Sequence, residues 1–488
     1  MTGDGVVIGL DVGTSAVKAL ALNERGKVLT RVGRSYALSS GPDGSAVQDA
    51  GEVIGAALDA LDALAAAVPG LPVLALVPSA AMHSLVLLDA AGTVLAPALT
   101  WADSRAAATL PDVRARLDPP GSYARTGCPL QAPYHPARLW WVRRTQPELW
   151  NRTARFVSLT DLLLHRLTGH GLGGNWATSV GLASTTGLWN LHTGDWDTDI
   201  LAALGTDAAQ LPAVYDAGHE VGRVQTGRLK GVRVLAGSSD GALANVGVDP
   251  LRQGQSVFTV GTSGAVRRLA AEPSLDAQAR TWSYRLDRAT HVSGGAINNG
   301  GLLLDWVRRQ WYSEVEASAG FRQLWSDAAR VPAGADGLTL LPYLTGERSP
   351  HWRSDLSATL HGLRLHHDRA HIARAALEAV AFSLKAVWSV GQQERNSALP
   401  SVYSTGGLAA EPGWNSLLAS TLNVPVQVPN VADASAVGAA LLGHTAHTAQ
   451  ALAARGTADP ILQPIAAEVE ALAETQQRWQ TLFVRLYG

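Results

Sequence analysis

The stretch Ile8-Gly9-Leu10-Asp11-Val12-Gly13-Thr14-Ser15-Ala16-Val17-Lys18 predicts two strands joined by a tight turn near the start of the chain. Apolar residues precede the turn and resume after it, which is the pattern of a β-hairpin. Glycine lets the backbone approach an anion without an intervening side chain. The N–H groups of such a turn, with the threonine and serine hydroxyls, can donate to phosphate oxygens. This hairpin tip therefore predicts a phosphate site.

Two charged residues flank the turn. Asp11 cannot bind phosphate directly, but as a hard oxygen ligand it can hold Mg²⁺ beside the phosphates of a nucleotide. Lys18 follows the turn and either lies beside the phosphates or faces solvent. The alternative for the whole motif is an ordinary glycine-containing hairpin without a ligand.

The tetrapeptide Val12–Ser15 returns as Val260–Ser263 in the second half of the chain. A single short repeat also arises by chance in a chain of 488 residues, so its context decides its meaning. Each copy follows a short apolar run typical of a strand, and the second offers the same donors without a preceding acid. The repeat predicts two related domains that face a shared ligand.

Length and composition limit the number of domains, the kinds of partner and the location of the protein. A chain of 488 residues exceeds what one core usually supports, which predicts two domains, residues 1–250 and 254–488. The apolar content of 47% excludes global disorder, and a net charge of −2 gives no reason to expect nucleic acid or an anionic membrane as a partner. The chain shows no signal peptide and no apolar run of membrane-spanning length. The single cysteine, Cys128, excludes an internal disulfide framework and favours a cytoplasmic location.

Alternating strand and helix patterns predict α/β domains with mixed sheets. Asp49 is predicted to cap the first helix, the segment 111–147 to be irregular or short-helical, and the last helix to serve packing or dimer contacts. The predicted strands beyond the first hairpin are Val73–Val77, Leu85–Leu88, Val232–Ala236, Ser256–Val260, Gly337–Leu341 and Val402–Thr405. The predicted helices are Glu52–Ala67, Ala242–Val246, Leu302–Tyr312, Arg369–Arg395, Gly413–Leu422, Ala434–His444 and Ile465–Leu486.

Asp240 lies in Gly237-Ser238-Ser239-Asp240-Gly241, between a predicted strand and a predicted helix. Ligands of α/β folds usually bind at this place. A carboxylate there can accept the proton of a substrate hydroxyl during phosphoryl transfer. The alternative is a helix N-cap, a role that aspartate favours, and the two roles are not exclusive.

Several motifs, taken together, resemble the FGGY family of carbohydrate kinases over nearly the whole chain. One departure is Arg138-Leu139-Trp140-Trp141, where the family has lysine at the first position. The matching motifs, in the order of the family, are Gly9–Ser15, Met82-His83, Trp101–Arg105, Ala236–Asp240, Gly261-Thr262, Ala358–Leu363 with His371–Glu378, Ser404–Gly407, Trp414 and Gly438–Leu441.

The resemblance implies two ribonuclease-H-like domains of the actin and hexokinase type, with ATP and substrate in the cleft between them. It implies that Asp240 is the catalytic base and that Asp11 and Asp240 form the Mg²⁺ site. The residues implied to bind ATP are Asp11, Gly13, Thr14, Ser15 and Lys18 in the first domain, and Gly261, Thr262, Gly406 and Gly407 in the second, the last two beside the adenosine.

For the substrate, the motifs most resemble the gluconate kinases of the family. They are Thr100–Arg105, Ala183–Asn190, Gly294–Gly301 and Leu341–Arg348. The candidate substrate residues are Met82, His83, Trp101, Asp103, Arg105, Tyr134, Asp240, Asn298 and Asn299. Because gluconate carries a carboxylate, its site should offer cationic or amide donors, which Arg105, His83 and the two asparagines can supply.

Alternatives remain at this stage. Arg105 can instead form an ion pair with Asp103, and His83 can make a local hydrogen bond in its loop. Ser158–Asp161 stands where gluconate kinases tend to have Lys-Glu-Tyr, which makes xylulose or another neutral sugar the alternative substrate. A non-sugar actin-like ATPase is a more distant alternative.

Overall fold

The computed structural model describes residues 5–169, 176–392, 401–444, 446–456 and 459–488. These residues form two compact units, and neither unit is continuous in sequence. The first unit contains residues 1–254, 269–293 and 431–457, and the second contains 255–268, 294–430 and 458–488. Two segments from the second half of the chain therefore pack with the first half. The division into sequential domains 1–250 and 254–488 stays a prediction.

Strands and helices alternate along the chain. The strands are β1 (Val6–Val12), β2 (Ala16–Asn23), β3 (Val28–Ser35), β4 (Ser39–Ser40), β5 (Ala46–Gln48), β6 (Val73–Ala80), β7 (Val86–Leu88), β8 (Ala98–Leu99), β9 (Arg155–Val157), β10 (Ala177–Ser179), β11 (Trp189–Asn190), β12 (Asp195–Trp196), β13 (Ala213–Tyr215), β14 (Glu220–Arg223), β15 (Arg233–Leu235), β16 (Ser238–Ser239), β17 (Ser256–Val260), β18 (Gly264–Ala270), β19 (Trp282–Arg285), β20 (His291–Ile297), β21 (Thr339–Leu341), β22 (Thr359–His361), β23 (Val402–Thr405), β24 (Val426–Gln427) and β25 (Ile461–Leu462). The helices are α1 (Ala50–Ala67), α2 (Leu110–Arg116), α3 (Pro119–Thr126), α4 (His135–Thr145), α5 (Pro147–Arg152), α6 (Leu159–Thr168), α7 (Val180–Ala183), α8 (Thr198–Leu204), α9 (Asp240–Val248), α10 (Gly301–Trp311), α11 (Ala317–Ala328), α12 (Arg369–Gln392), α13 (Pro412–Leu422), α14 (Ala434–Leu442), α15 (Ala446–Gly456) and α16 (Ala466–Tyr487).

The main sheet of the first unit has the order β14-β15-β6-β1-β2-β3. Strand β16 pairs with the carboxyl end of β6, on the same side of β6 as β15. Strands β1 and β2 form the antiparallel hairpin that the opening motif predicted. Strand β6 runs parallel to both β1 and β16, so Ser79 lies beside Asp11 on one side and Ser238 on the other. The carboxyl ends of three parallel strands thus meet at one edge of the sheet.

Helix α14 comes from the far end of the chain and packs against α9 and β1 in the first unit. Glycine permits this close approach. A Cβ atom on Gly438 would lie 1.9 Å from the carbonyl oxygen of Leu243, and one on Gly9 would lie 1.9 Å from that of Ala436. Because α9 begins at Asp240, helix α14 supports the element that positions this carboxylate.

The second unit contains its own sheet and helical layer. In the sheet, β17 pairs antiparallel with β18 and parallel with β23, and β23 pairs parallel with β24. Buried residues of α10, α11, α12, α13 and α16 form one apolar core with this sheet. The second Gly-Thr-Ser turn follows β17, as the sequence predicted.

Most predicted elements are found within a few residues of their predicted ends. Strands Ser256–Val260 and Val402–Thr405 match, and Asp49 caps α1 by accepting a hydrogen bond from the Glu52 amide. The segment 111–147 is largely helical. Helix α9 begins at Asp240, so its N-cap is Ser239 rather than Asp240. The predicted helix 369–395 is seen to Gln392, and residues 393–395 lie outside the described residues.

Within the described ranges, no helix combines the length and the apolar character needed to cross a bilayer.

Candidate active site

Two carboxylates lie together at the carboxyl edge of the first sheet. Asp11 is the penultimate residue of β1 and accepts a hydrogen bond from the Ser79 hydroxyl at 2.8 Å. Asp240 opens α9, and its Oδ1 accepts from the Gly241 amide at 2.6 Å. Burial, followed by the charge of Asp240, raises the pKa of Asp11 to about 7, although the Ser79 hydrogen bond and Lys18 act in the opposite direction. The structure therefore brings together the two residues predicted to hold metal.

The first Gly-Thr-Ser turn is held by side chains from distant parts of the first unit. The Tyr36 hydroxyl donates to the Gly13 carbonyl oxygen, and the Gln48 amide donates to the Thr14 carbonyl oxygen at 2.6 Å. The indole N–H of Trp101 donates to the Thr14 hydroxyl at 3.0 Å. Ser15 is exposed at the tip. Trp101, predicted to contact substrate, thus also contacts the predicted phosphate turn.

Lys18 has a partner inside the first unit. Its ammonium lies 3.1 Å from a carboxylate oxygen of Asp433, the residue just before α14, and the side chain is about half exposed. An ion pair of this exposure contributes little to stability. A phosphate contact by Lys18 remains a prediction, and that contact would have to compete with Asp433.

The second turn is held by backbone hydrogen bonds at the start of α10. The Gly301 amide donates to the Gly261 carbonyl oxygen at 2.8 Å, and the Leu302 amide donates to that of Thr262 at 2.9 Å. A Cβ atom on Gly261 would have no neighbour within 4 Å. This glycine therefore faces open space, as close approach of a ligand requires.

Gly406 and Gly407 follow β23 in the same unit, and they differ. Gly406 has a φ of 85°, and a Cβ atom there would lie 2.5 Å from the Val260 carbonyl oxygen. The fold itself therefore requires glycine at position 406. A Cβ atom on Gly407 would just reach the same oxygen at 4.0 Å, which leaves room on its other side.

A buried arginine joins the two loops that carry most predicted sugar residues. Arg138 of α4 is fully buried and donates to the carbonyl oxygens of His83 and Thr100. His83, next to Met82, has a φ of 66°, a conformation uncommon for a residue with a side chain. Arg138 fixes this backbone. The sequence drew attention to Arg138 only as a change of cation, and its role was missed.

Tyr134 and Tyr284 form a second contact around His83. Their hydroxyl groups lie 2.6 Å apart, and both rings meet the His83 ring edge to face, with a centroid distance of 5.0 Å for Tyr134. Tyr284 belongs to β19 and stacks on Trp282 at 4.4 Å. The sequence predicted Tyr134 but missed Tyr284, because no local pattern connects residues 282–284 with the first unit.

Asp103 and Arg105 form an ion pair, which was the alternative to a substrate contact. The Arg105 guanidinium lies 2.6 Å from Asp103 and stacks over the ring of Trp141 at 4.6 Å. Asp103 is buried and also accepts a hydrogen bond from the Ala46 amide. The charge of Arg105 is therefore largely compensated within the loop.

Asn298 and Asn299 belong to the second unit, and both side chains bind the loop 345–348. Asn298 donates to the Thr345 carbonyl oxygen at 3.1 Å and accepts from Arg348 at 2.7 Å. Asn299 is fully buried and donates to the Gly346 carbonyl oxygen at 2.8 Å. Each amide thus has a structural role, and substrate contact by either residue stays a prediction.

The residues at the predicted Mg²⁺ site decide whether a metal ion fits there. The described part of the chain has no cluster of three or more histidine, cysteine, aspartate or glutamate side chains suited to a metal ion. Mg²⁺ in kinases is usually held by one or two carboxylates together with substrate phosphates. Asp11 and Asp240 fit that donor set, and a cation there would relieve the repulsion that raises the pKa of Asp11.

Comparisons with known proteins agree with this geometry. The FGGY carbohydrate kinase N-terminal domain matches residues 6–247, and the FGGY C-terminal domain matches residues 256–447. The chain is 29% identical over 449 residues to a gluconokinase of Bacillus licheniformis, covering 90% of this chain and 86% of the relative. It is also 29% identical over 449 residues to a xylulose kinase of Bacillus subtilis strain 168, covering 89% and 87%.

A solved structure extends the comparison to the fold. The crystal structure of gluconate kinase from Lactobacillus acidophilus matches with a TM-score of 0.90 and 26% identity, over 99% of this chain and 98% of that one. The predicted two-domain α/β fold is confirmed. This chain therefore belongs to the FGGY family of carbohydrate kinases.

Proposed function

We propose that this ATP-dependent sugar kinase phosphorylates D-gluconate to 6-phosphogluconate, with Asp240 as the general base. The observation that carries the proposal is the pairing of Asp11 and Asp240 beside the Gly13-Thr14 turn. Phosphoryl transfer needs mainly positioning and charge neutralisation, together with a carboxylate that orients the acceptor hydroxyl. These residues offer each of those parts within one unit.

Each residue has a separate role in the proposal. Asp240 accepts the proton of the substrate hydroxyl as that oxygen attacks the terminal phosphoryl group. Asp11 would hold Mg²⁺ together with the ATP phosphates, and the ion would supply positive charge that neutralises the phosphates. The Gly13-Thr14 and Gly261-Thr262 turns donate hydrogen bonds to the phosphates. Gly407 admits the nucleoside.

Gluconate is supported by the gluconokinase relatives and by the Thr100–Arg105 motif. One observation favours xylulose as the second candidate. Arg105, the cation expected to bind the carboxylate, is paired with Asp103. If no other cation replaces it, a neutral ketose suits the site better than an acid, and one xylulose kinase is 29% identical to this chain, as the gluconokinases are.

The test of the base is Asp240→Asn. We expect kcat to fall by roughly 10²–10⁴, because the acceptor hydroxyl loses its proton acceptor. The KM for ATP should change little. Asp59→Asn on the exposed face of α1 is the matched control and should retain full activity. A kcat within tenfold of the parent for Asp240→Asn would show that the base is assigned wrongly.

The test of the substrate is a coupled ADP-release assay with gluconate, xylulose, ribulose and glycerol. Gluconate should give the highest kcat/KM. Arg105→Gln separates the two candidates, since it should raise the KM for gluconate more than tenfold if the guanidinium binds the carboxylate, and should leave the KM for xylulose nearly unchanged. If xylulose is the better substrate of the parent enzyme, the gluconate proposal is wrong.

A further inference from the structure

A cavity of about 540 Å³ in the first unit carries two arginine side chains. We call it the arginine cavity, and it is lined by Arg155, Arg288, residues 194–196 and residues 211–214, among others. None of its described lining residues belongs to a Gly-Thr-Ser turn or to the predicted sugar residues. Its volume lies in the range of small-molecule sites. The first unit therefore has a second place where a small ligand fits.

The guanidinium groups of both arginines lie at the wall of the arginine cavity. Nη1 of Arg155 donates to the carbonyl oxygen of Ala209, which also lines the cavity, at 3.4 Å. Nη1 of Arg288 would lie 3.7 Å from a Cβ atom on Gly194, another lining residue. The backbone of Arg288 is fixed, because its amide donates to Asp216 at 2.8 Å. Two cationic groups thus border the same space.

These two charges are not compensated by ion pairs. Among the residues that the structure describes, neither Arg155 nor Arg288 forms an ion pair. Guanidinium groups bind phosphate through paired, charge-assisted hydrogen bonds. Asp195 also lines the cavity and is exposed, and its carboxylate can accept hydrogen bonds from hydroxyl groups. A ligand that carries both phosphate and hydroxyl groups suits this combination.

One wall of the arginine cavity is shared with a smaller cavity beside a predicted sugar residue. Trp196, Leu211 and Pro212 line the arginine cavity and also an interior cavity of about 30 Å³, which His83 lines from elsewhere in the first unit. The indole N–H of Trp196 donates to the Pro212 carbonyl oxygen at 3.1 Å, so this wall is held together. Because close-packed interiors transmit strain, a displacement of the wall reaches His83.

We propose that the arginine cavity is a second binding site, which takes the sugar phosphate product of the kinase and inhibits the enzyme through the shared wall. The phosphate group binds Arg155 and Arg288, and Asp195 accepts hydrogen bonds from sugar hydroxyls. Product in the cavity and sugar at His83 then weaken the binding of each other equally, as linkage requires. The proposal rests on the sugar kinase activity and on His83 lying at the sugar site, but not on gluconate being the sugar.

The first experiment counts binding sites on the full chain by titration calorimetry without nucleotide. The probes are 6-phosphogluconate, xylulose 5-phosphate and inorganic phosphate. The double variant Arg155→Gln with Arg288→Gln should bind one sugar phosphate fewer per chain than the parent. Inorganic phosphate should bind the parent about tenfold more weakly, because it has no sugar hydroxyls for Asp195. Arg25→Gln, at an exposed arginine of the β2–β3 turn, is the matched control and should bind like the parent.

The second experiment measures inhibition by product, with whichever of gluconate and xylulose the parent phosphorylates. The product concentration for half-inhibition should rise about tenfold in the double variant, while kcat and KM without product stay within about twofold of the parent. Arg25→Gln should be inhibited like the parent. A gluconate proposal that fails leaves this test intact, because xylulose and its own phosphate then serve as substrate and inhibitor.

Thermal melting should show that the double variant is folded, and Arg288→Gln alone, at an exposed side chain, gives a second variant if it is not. Two results would overturn the proposal. One is an equal number of bound sugar phosphates in the parent and the variant. The other is inhibition by product that is unchanged when the arginines are replaced.

Discussion

The two Gly-Thr-Ser turns share a sequence but are built differently. The first is held by side chains from three other parts of its unit, Tyr36, Gln48 and Trp101. The second is held by backbone amides at the start of α10. At the position before each Val-Gly-Thr-Ser repeat, the first copy has Asp11 and the second has Thr259.

This difference indicates that the two turns have different roles. Backbone hydrogen bonds fix the second turn and leave Gly261 facing open space, which suits a passive phosphate contact. The first turn adds a carboxylate with a raised pKa and an aromatic residue from a predicted sugar loop. Under the proposed function, the first turn could therefore relate the position of the phosphates to metal and substrate.

Among changes at the two turns, the largest expected effect comes from substituting the residue that precedes each turn. Asp11→Asn should lower kcat/KM by roughly 10²–10³, because the metal site loses a carboxylate. Thr259→Val removes one hydroxyl contact, with Thr405 at 2.8 Å, and should cost less than tenfold in activity. Steady-state kinetics with varied Mg²⁺ concentration measures both.

Asp11→Asn should lower activity, but it should not lower the stability of the fold. Burial and Asp240 disfavour the ionised form of Asp11, so a neutral amide should keep or raise the melting temperature at pH 8. Thr259→Val should lower stability by about 1 kcal/mol through its lost hydrogen bond. Equal loss of activity in Asp11→Asn and Thr259→Val would contradict the different roles of the two turns.

Smaller effects are expected from two glycine substitutions in the second unit, one that affects ligand binding and one that affects folding. Gly261→Ala has room for its methyl group, so we expect an unchanged melting temperature and a KM for ATP raised about tenfold, through a lost phosphate approach. Gly406→Ala places a methyl group against the Val260 carbonyl oxygen at positive φ and should destabilise the fold by about 1–3 kcal/mol. A normal KM for ATP in Gly261→Ala would contradict the predicted phosphate contact.

The last expected effect is a pH dependence that is specific to the first turn. Because the pKa of Asp11 is about 7, the carboxylate becomes mostly ionised between pH 6 and 8, and the Mg²⁺ concentration for half-maximal rate should fall about tenfold over that range. Asp11→Asn should abolish this dependence, and Thr259→Val should retain it. The same ionisation should lower the stability of the fold. Because the folded pKa of Asp11 lies above its unfolded value, the protein becomes less stable as pH rises from about 4 to 7.

Local patterns were enough to predict much of the fold. The strands at 256–260 and 402–405 are short apolar runs bounded by turn residues, and Asp49 stands at the expected distance before its helix. The helices within 111–147 also carried a signal that the prediction used only in part, because Pro111, Pro119, Pro136 and Pro147 each lie in the first turn of a helix.

Features that depend on distant parts of the chain could not be predicted from local patterns. No periodicity shows that 269–293 and 431–457 pack in the first unit, or that Tyr284 meets Tyr134. The site residues show the same limit. Asp11 and Asp240 were expected together from family motifs, whereas the internal hydrogen bonds of Asn298 and Asn299 depend on a loop almost 50 residues away.

Helix α14 has a consequence for the order of events during synthesis. Residues 434–442 supply one wall of the first unit, packed through Gly438 against α9. The ribosome finishes Asp240 long before it reaches this helix, and at about 5–20 residues per second the delay is roughly 10–40 s. During that interval the nascent chain carries Asp240 on a helix whose packing face is uncovered. Until the last tenth of the polypeptide arrives, the first unit therefore lacks the helix that covers this face.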